Sequence, residues 1–131
     1  QLCFPLYAAA KEIVRQYKPF LDRLDMTYTQ YIAMMVLWEH REVTVKELGE
    51  YLYLDSGTLT PLLKTMEKKG WVERNRSKED ERVLIVTITE VGDKLKEKAV
   101  CVSEQMAGCI HLEKEEAIQL YQLLYKILGK F

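Results

Sequence analysis

Apolar residues at the start of the chain recur at alternating steps of four and three. Cys3, Tyr7, Ala10, Val14, Tyr17, Leu21 and Leu24 make one seam, which Leu6, Ile13 and Phe20 widen. This spacing predicts a long helix beginning near Pro5, because proline is tolerated only in a first turn; Pro19 is expected to kink or tighten the last one. Thr27 reads as the cap of a second helix, Tyr28 to about Glu39. The middle of that helix, Ile32 to Trp38, is apolar nearly all round, which predicts burial at the centre of the fold. Arg41 to Val43 reads as a connector. Thr44-Val45-Lys46-Glu47 is a capping box opening a third helix that runs to about Tyr53.

Leu54 and Asp55 predict a tight turn, with Asp55 capping a fourth helix. Leu59, Leu62, Leu63 and Met66 form its inward stripe, leaving Ser56, Thr58, Thr60, Lys64, Thr65 and Lys68 outward, and Gly70 stands where such a helix closes. Pro61 is anomalous there: it removes a backbone bond and should bend the first turn, with Gly57 easing the strain. Trp71 to Asn75 and Val83 to Ile88 are β-type runs around the polar loop Ser77 to Glu81, the pattern of a hairpin. Thr89 caps a fifth helix with Val91, Leu95, Ala99, Val102, Met106 and Cys109 on one face. After a break near His111, a sixth helix is expected to run to the chain end through Ala117, Leu120, Tyr121, Leu124 and Leu128. The predicted order is α-α-α-α-β-β-α-α, with no repeat.

Composition narrows the class. A chain of 131 residues, 48% apolar, fits one globular domain spanning 1–131. Net charge is −1, so the total does not advertise a nucleic-acid binder, but residues 64–82 carry seven basic and five acidic side chains, leaving the remainder net negative. No apolar run is long enough for a membrane span, and no signal peptide is visible, so no membrane association is expected. Because the chain opens on Gln1 rather than Met, residues before Gln1 are expected. Three cysteines make an odd count without a C-x-x-C pair, and two histidines (His40, His111) are too few and scattered for a metal. A cytoplasmic protein without metal or cofactor is the expectation.

Residues 55–89 are the most informative stretch. Short hydroxyl side chains at a helix N-terminus approach phosphates and base edges closely, and Ser56, Thr58 and Thr60 supply them, with Lys64 further along the face. An ordinary amphipathic surface helix is the plain alternative, but the capping box, tight turn and hairpin in immediate succession outweigh it. In the hairpin loop, Arg82 follows Asp80 by two residues, so a carboxylate can hold the guanidinium extended toward a minor groove. Arg74 and Arg76 on the incoming strand are candidates for phosphate contacts, although for Arg74 a solvated surface charge is the better reading. A groove-shaped helix followed by an Arg-tipped hairpin is a winged helix-turn-helix, over about residues 27–89. Flanking helices, over about 4–24 and 90–131, carry apolar stripes too long for that small core, so pairing of two copies into a homodimer is expected. The expected fold is mainly α with a small β-hairpin wing (α+β).

The chain resembles the MarR family of dimeric winged-helix regulators over nearly its whole length. The resemblance rests on helix order, D-S-G-T-L-T-P-L-L-K from Asp55, the D-E-R wing ending at Arg82, and I-T-E-V-G from Ile88 to Gly92. It implies that helices one, five and six form the dimer interface, and that recognition helices enter successive major grooves of an inverted-repeat operator while wings reach the minor groove. Related regulators often carry a second basic residue where this chain has Thr65.

L-C-F-P-L-Y at the start, Tyr17, Y-T-Q-Y from Tyr28 and Y-L-D-S-G-T-L-T-P from Tyr53 look more specifically like the organic-hydroperoxide branch (OhrR) and its staphylococcal oxidation-sensing relatives. That likeness implies a peroxide-reactive thiol at Cys3, with Tyr7, Tyr17 and Tyr28 lining its site, some from the partner subunit. The branch usually has Ala at the position of Pro5. Chemistry agrees: a helix N-terminus stabilises a thiolate, phenols donate hydrogen bonds to it, and thiolate attack on a peroxide gives a sulfenic acid that a second thiol traps. The likeness implies Cys109 as a resolving thiol across the dimer; a small cellular thiol capping Cys3 is the alternative, and Cys101 reads as structural. Cys3 on an apolar seam is equally what a packed core cysteine looks like. Three functions follow: a redox-sensing repressor released from its operator on oxidation of Cys3, a MarR-type regulator that binds a small aromatic ligand, and a thiol peroxidase. The last lacks a recycling pair or charged base beside Cys3.

Overall fold

The computed structural model describes residues 1–129. Its elements run α1 (Cys3–Asp22), α2 (Tyr28–His40), β1 (Glu42–Thr44), α3 (Val45–Leu52), α4 (Ser56–Lys68), β2 (Val72–Arg76), β3 (Leu84–Ile88), α5 (Glu90–Ala107) and α6 (Lys114–Ile127). Positions 130 and 131 of the expected C-terminal segment lie outside the described residues.

Side-chain caps set the start of most helices. Thr27 accepts from Gln30 N while Gln30 accepts from Thr27 N, closing a reciprocal box at α2. Thr44 and Glu47 close the same box at α3, Asp55 accepts from Thr58 N at α4, and Thr89 accepts from Gly92 N at α5. Each cap satisfies a donor left orphaned by the first turn and contributes about 1 kcal/mol.

α2 is the centre of the core. Ala33, Met34 and Leu37 are fully enclosed and meet Leu48 of α3, Leu59, Leu63 and Met66 of α4, and Val86 of β3. The expectation of an apolar helix buried all round holds for Ala33, Met34, Leu37 and Trp38, whereas Ile32 and Val36 are half-buried and Met35 is exposed. Arg41 to Val43 is not merely a connector. Glu42–Thr44 pairs antiparallel with β3 (Val43 opposite Val86), giving a three-stranded sheet in the order β1-β3-β2. A strand of three residues is too short to display alternation; its partner, more than forty residues away, defines it. The hairpin expected between the two β-type runs is present, with Val72 opposite Ile88 and Arg76 opposite Leu84.

α1 begins at Cys3, so Pro5 falls in the first turn as expected, at the third helical position, where its missing N–H costs no bond. Three further expectations need correcting. Val91 is exposed because the inward face of α5 passes through Gly92, Ala99, Val102 and Met106. Cys109 lies beyond α5, in the turn after Gly108, and is exposed. α6 ends at Ile127 rather than continuing through Leu128.

The two ends of the chain stand off the core. Among the residues of α1 only Leu21 is buried, and α6 contains no buried residue. Leu2, Phe4, Leu6 and Tyr7 near one end, and Ile118, Leu120, Tyr121, Leu123 and Ile127 near the other, are large apolar side chains left in contact with solvent.

Candidate nucleic-acid interface and thiol site

The outer face of α4 is built as the sequence pattern implied. Ser56, Thr58, Thr60, Lys64 and Thr65 are exposed, while Leu59, Leu63 and Met66 anchor the opposite face. α4 is a single helix through Pro61, which lacks the N–H that would reach the Gly57 carbonyl. Hydroxyls serve neighbouring carbonyls there: Thr60 Oγ1 donates to Ser56 O at 2.8 Å and Thr65 Oγ1 to Pro61 O at 3.0 Å.

The wing loop is closed by Ser77 N donating to Val83 O (2.8 Å) and Val83 N donating to Asp80 O (3.0 Å). Asp80 then grips Arg82 twice: Arg82 Nε donates to Asp80 Oδ1 (3.1 Å) and a terminal guanidinium nitrogen to Oδ2 (3.2 Å). The Arg82 side chain remains 90% exposed. The guanidinium and the Arg82 backbone N–H hold the Asp80 carboxyl below its ordinary value. Arg76 is exposed and has no ion pair among the described residues. Arg74 is different. It is ion-paired with Glu67 near the C-terminal end of α4 and is only 20% exposed, so it braces α4 against β2.

The candidate thiol residues fall in two places. Cys3 is exposed at the first position of α1, and Tyr7, one turn on, is 61% exposed with Lys11 Nζ 5.5 Å from its ring centre. Tyr17 and Tyr28 pack together where α1 crosses α2, ring centres 4.9 Å apart. Fourteen residues of continuous helix separate Cys3 from Tyr17, about 21 Å at roughly 1.5 Å per residue. One chain therefore joins Cys3 with Tyr7, and Tyr17 with Tyr28, but not the two pairs with each other.

Tyr31 completes the second group. Its ring lies 5.7 Å from Tyr17 and 6.4 Å from Tyr28, and it meets Trp38 edge-on at 6.3 Å. Burial raises the pKa of all three phenols, Tyr28 adding to the rise at Tyr17 and Tyr31, so they remain hydrogen-bond donors well into alkaline solution. Tyr31 was visible in the Y-T-Q-Y run, but its i+3 spacing from Tyr28 could be read equally as core packing. Among the described residues no group of three His, Cys, Asp or Glu side chains converges as a metal site. No described helix is long and apolar enough to cross a membrane.

A family model described as "Transcriptional regulator SarA/Rot" matches residues 15–99. The organic hydroperoxide resistance transcriptional regulator of Bacillus subtilis is 52% identical over 128 residues, covering 98% of this chain and 87% of the relative. The chain belongs to the MarR-type winged-helix transcriptional regulators, in the organic-hydroperoxide branch.

Solved structures of similar proteins carry the same fold. Reduced AbfR bound to DNA, a Staphylococcus epidermidis protein, superposes with a TM-score of 0.82 at 36% identity, covering 98% of this chain and 90% of that one. The disulfide-formed AbfR, at 35% identity and the same coverage, superposes less well, with a TM-score of 0.71. The arrangement of helices in this MarR-type chain is therefore nearer the reduced, DNA-bound relative than the disulfide-linked one. The relatives that identify the branch are transcriptional regulators.

Proposed function

We propose that the protein is a dimeric redox switch that binds an inverted-repeat operator when reduced and leaves it when an organic hydroperoxide oxidises Cys3. The observation that carries this reading is the split of the thiol site. Cys3 and Tyr7 sit at one end of an exposed helix, and Tyr17 and Tyr28 at the other, about 21 Å away along its axis. Two copies crossing along α1, α5 and α6 bring the Cys3 end of one subunit to the tyrosine pair of the other, and cover the apolar side chains of α1 and α6 that face solvent in one copy. This assigns about residues 27–89 to DNA reading and the flanking segments, about 4–24 and 90–131, to dimerisation.

The chemistry is a displacement at oxygen. The Cys3 thiolate attacks the terminal peroxide oxygen, an S–O bond forms, the O–O bond breaks, and the departing alkoxide takes a proton to leave as the alcohol. Sulfur is oxidised to the sulfenic acid and the peroxide is reduced. Cys109, exposed in the turn after α5, or a small cellular thiol then condenses with the sulfenic acid, releasing water and leaving a disulfide. Phenol donors from Tyr7 and from the partner's Tyr17 and Tyr28 stabilise the thiolate before the reaction; an S–OH or disulfide no longer matches them, and the subunits shift.

On DNA, Ser56, Thr58, Thr60 and Lys64 meet the major groove and its phosphates. Arg82, held by Asp80, enters the minor groove, and Arg76 takes a phosphate. Arg74, already engaged by Glu67, contributes by holding α4 to β2.

Subunit mixing tests the shared site. A heterodimer of one Cys3→Ser chain and one Tyr17→Phe/Tyr28→Phe chain retains a complete site only if cysteine and tyrosines come from different subunits. The expected outcome is near-normal sulfenic acid formation at the remaining Cys3, against slowed formation in the Tyr17→Phe/Tyr28→Phe homodimer. Equal slowing in both would place the site within one chain.

A further inference from the structure

One cation joins the end of the recognition helix to the turn between α1 and α2, and neither the DNA face nor the thiol site uses it. α1 is followed by the left-handed residue Asp25 (φ 51°). Asp25 N donates to Asp22 O and Met26 N to Leu21 O, each at 3.1 Å, the paired bonds that close a helix C-terminus. α4 closes in the same manner at Gly70 (φ 79°), with Gly70 N donating to Glu67 O and Trp71 N to Met66 O. Lys69, between α4 and that glycine, spans the gap. Its ammonium donates to the main-chain oxygen of Asp25, lies 3.4 Å from Asp25 Oδ2, and stands 4.6 Å from the centre of the Trp71 ring.

A cation is favoured there three times over: by the partial negative charge at the end of α1, by a carboxylate, and by an indole face. The Lys69 side chain is 26% exposed. Its neighbours Lys64 and Lys68 are exposed and make no ion pair among the described residues. Lys69 is thus committed to the protein, whereas its neighbours are open to a phosphate.

We propose that Lys69 is a positioning residue, a latch that ties the orientation of the recognition helix to the α1–α2 turn. Tyr17 and Tyr28 stand on the two helices that this turn connects, and Tyr28 follows Asp25 by three residues. The inference rests on the redox switch proposed above: a change at Cys3 of the partner subunit alters the packing of Tyr17 and Tyr28, α1 and α2 move relative to each other, and the Asp25 carbonyl moves with the turn. Lys69 carries the end of α4 along, so the recognition helix rotates on its DNA. Without this ammonium, the turn can move while α4 keeps its seat among the core side chains.

The test uses the full chain and a duplex that wild-type protein selects from random-sequence DNA, with cumene hydroperoxide as oxidant and intact mass to verify oxidation of Cys3. Wild-type release on oxidation establishes the switch itself; if wild type holds its DNA, the switch fails and the latch falls with it. Given wild-type release, Lys69→Met keeps the aliphatic contact on Trp71 but loses the charge. It is expected to bind reduced-state DNA within about threefold of wild type with an unchanged salt slope, while the ratio of oxidised to reduced Kd shrinks by about tenfold. Lys69→Arg is expected to retain that ratio, and Lys69→Gln gives a second neutral variant should the methionine chain fold poorly. An unchanged ratio in the neutral variants would overturn the latch. So would a salt slope lowered by about 0.9, the mark of a lost phosphate contact, or an equal loss in Lys69→Arg.

Discussion

At the tip of the wing, Arg82 is 90% exposed and yet held at two nitrogens by Asp80. Restricting a long side chain before it meets DNA removes part of the ordering cost that a free arginine brings to binding. The Asp80 carboxyl is depressed chiefly by its hydrogen bonds to Arg82, so the pairing is present above the ordinary carboxylate range. It is lost only as pH falls through the lowered value, and is intact at neutral pH. Arg82→Ala is expected to weaken operator binding by about 1–3 kcal/mol, and Asp80→Asn by a smaller amount in the same direction; titrating each variant against labelled duplex measures both. A full-strength complex from Arg82→Ala would remove the wing from the interface. Asp80 with Arg82 was legible in the sequence because two residues and one loop make the pair. The partnership of Arg74 with Glu67 was not, because it exists only once β2 folds back along α4.

Helix caps were the most readable features at the scale of elements, since Thr27, Thr44, Asp55 and Thr89 each meet a partner three residues on. β1 escaped because its reality lies in its pairing with β3. The junction of wing and α5 is also non-local. A Cβ on Gly92 would stand 2.2 Å from the Trp71 carbonyl oxygen, and the Gly92 carbonyl accepts from Trp38 Nε1 at 2.9 Å. Gly92→Ala must therefore push α5 away from β2, with an expected loss of about 1–3 kcal/mol and a Tm lower by several degrees; an unchanged melting curve would show that this approach is not tight in solution. On α4, Thr65 turns its hydroxyl to the Pro61 carbonyl on an otherwise exposed position. Thr65→Arg is expected to steepen the dependence of log K on log salt by about 0.9, with tighter binding at low salt. A slope equal to wild type would place residue 65 beyond reach of the backbone.

For the whole molecule, the winged core was legible because hydrophobic periodicity reports which face of each element is buried. The proposed thiol site was legible only through likeness, and for a physical reason: four turns of helix separate its candidate residues in one chain, so the proposed switch draws them from two copies. The same separation makes the proposed switch a property of the dimer, its proposed input at the start of α1 and output on α4 and the wing, with the Tyr17, Tyr28 and Tyr31 cluster at the α1–α2 crossing between them. Its most direct test is the affinity of reduced wild-type and Cys3→Ser proteins for a selected operator duplex, before and after stoichiometric organic hydroperoxide. Both are expected to bind when reduced, wild type alone to release DNA on oxidation, and added thiol to restore its binding. Release from Cys3→Ser under the same dose, or retention by wild type whose Cys3 is fully oxidised, would contradict the proposed switch.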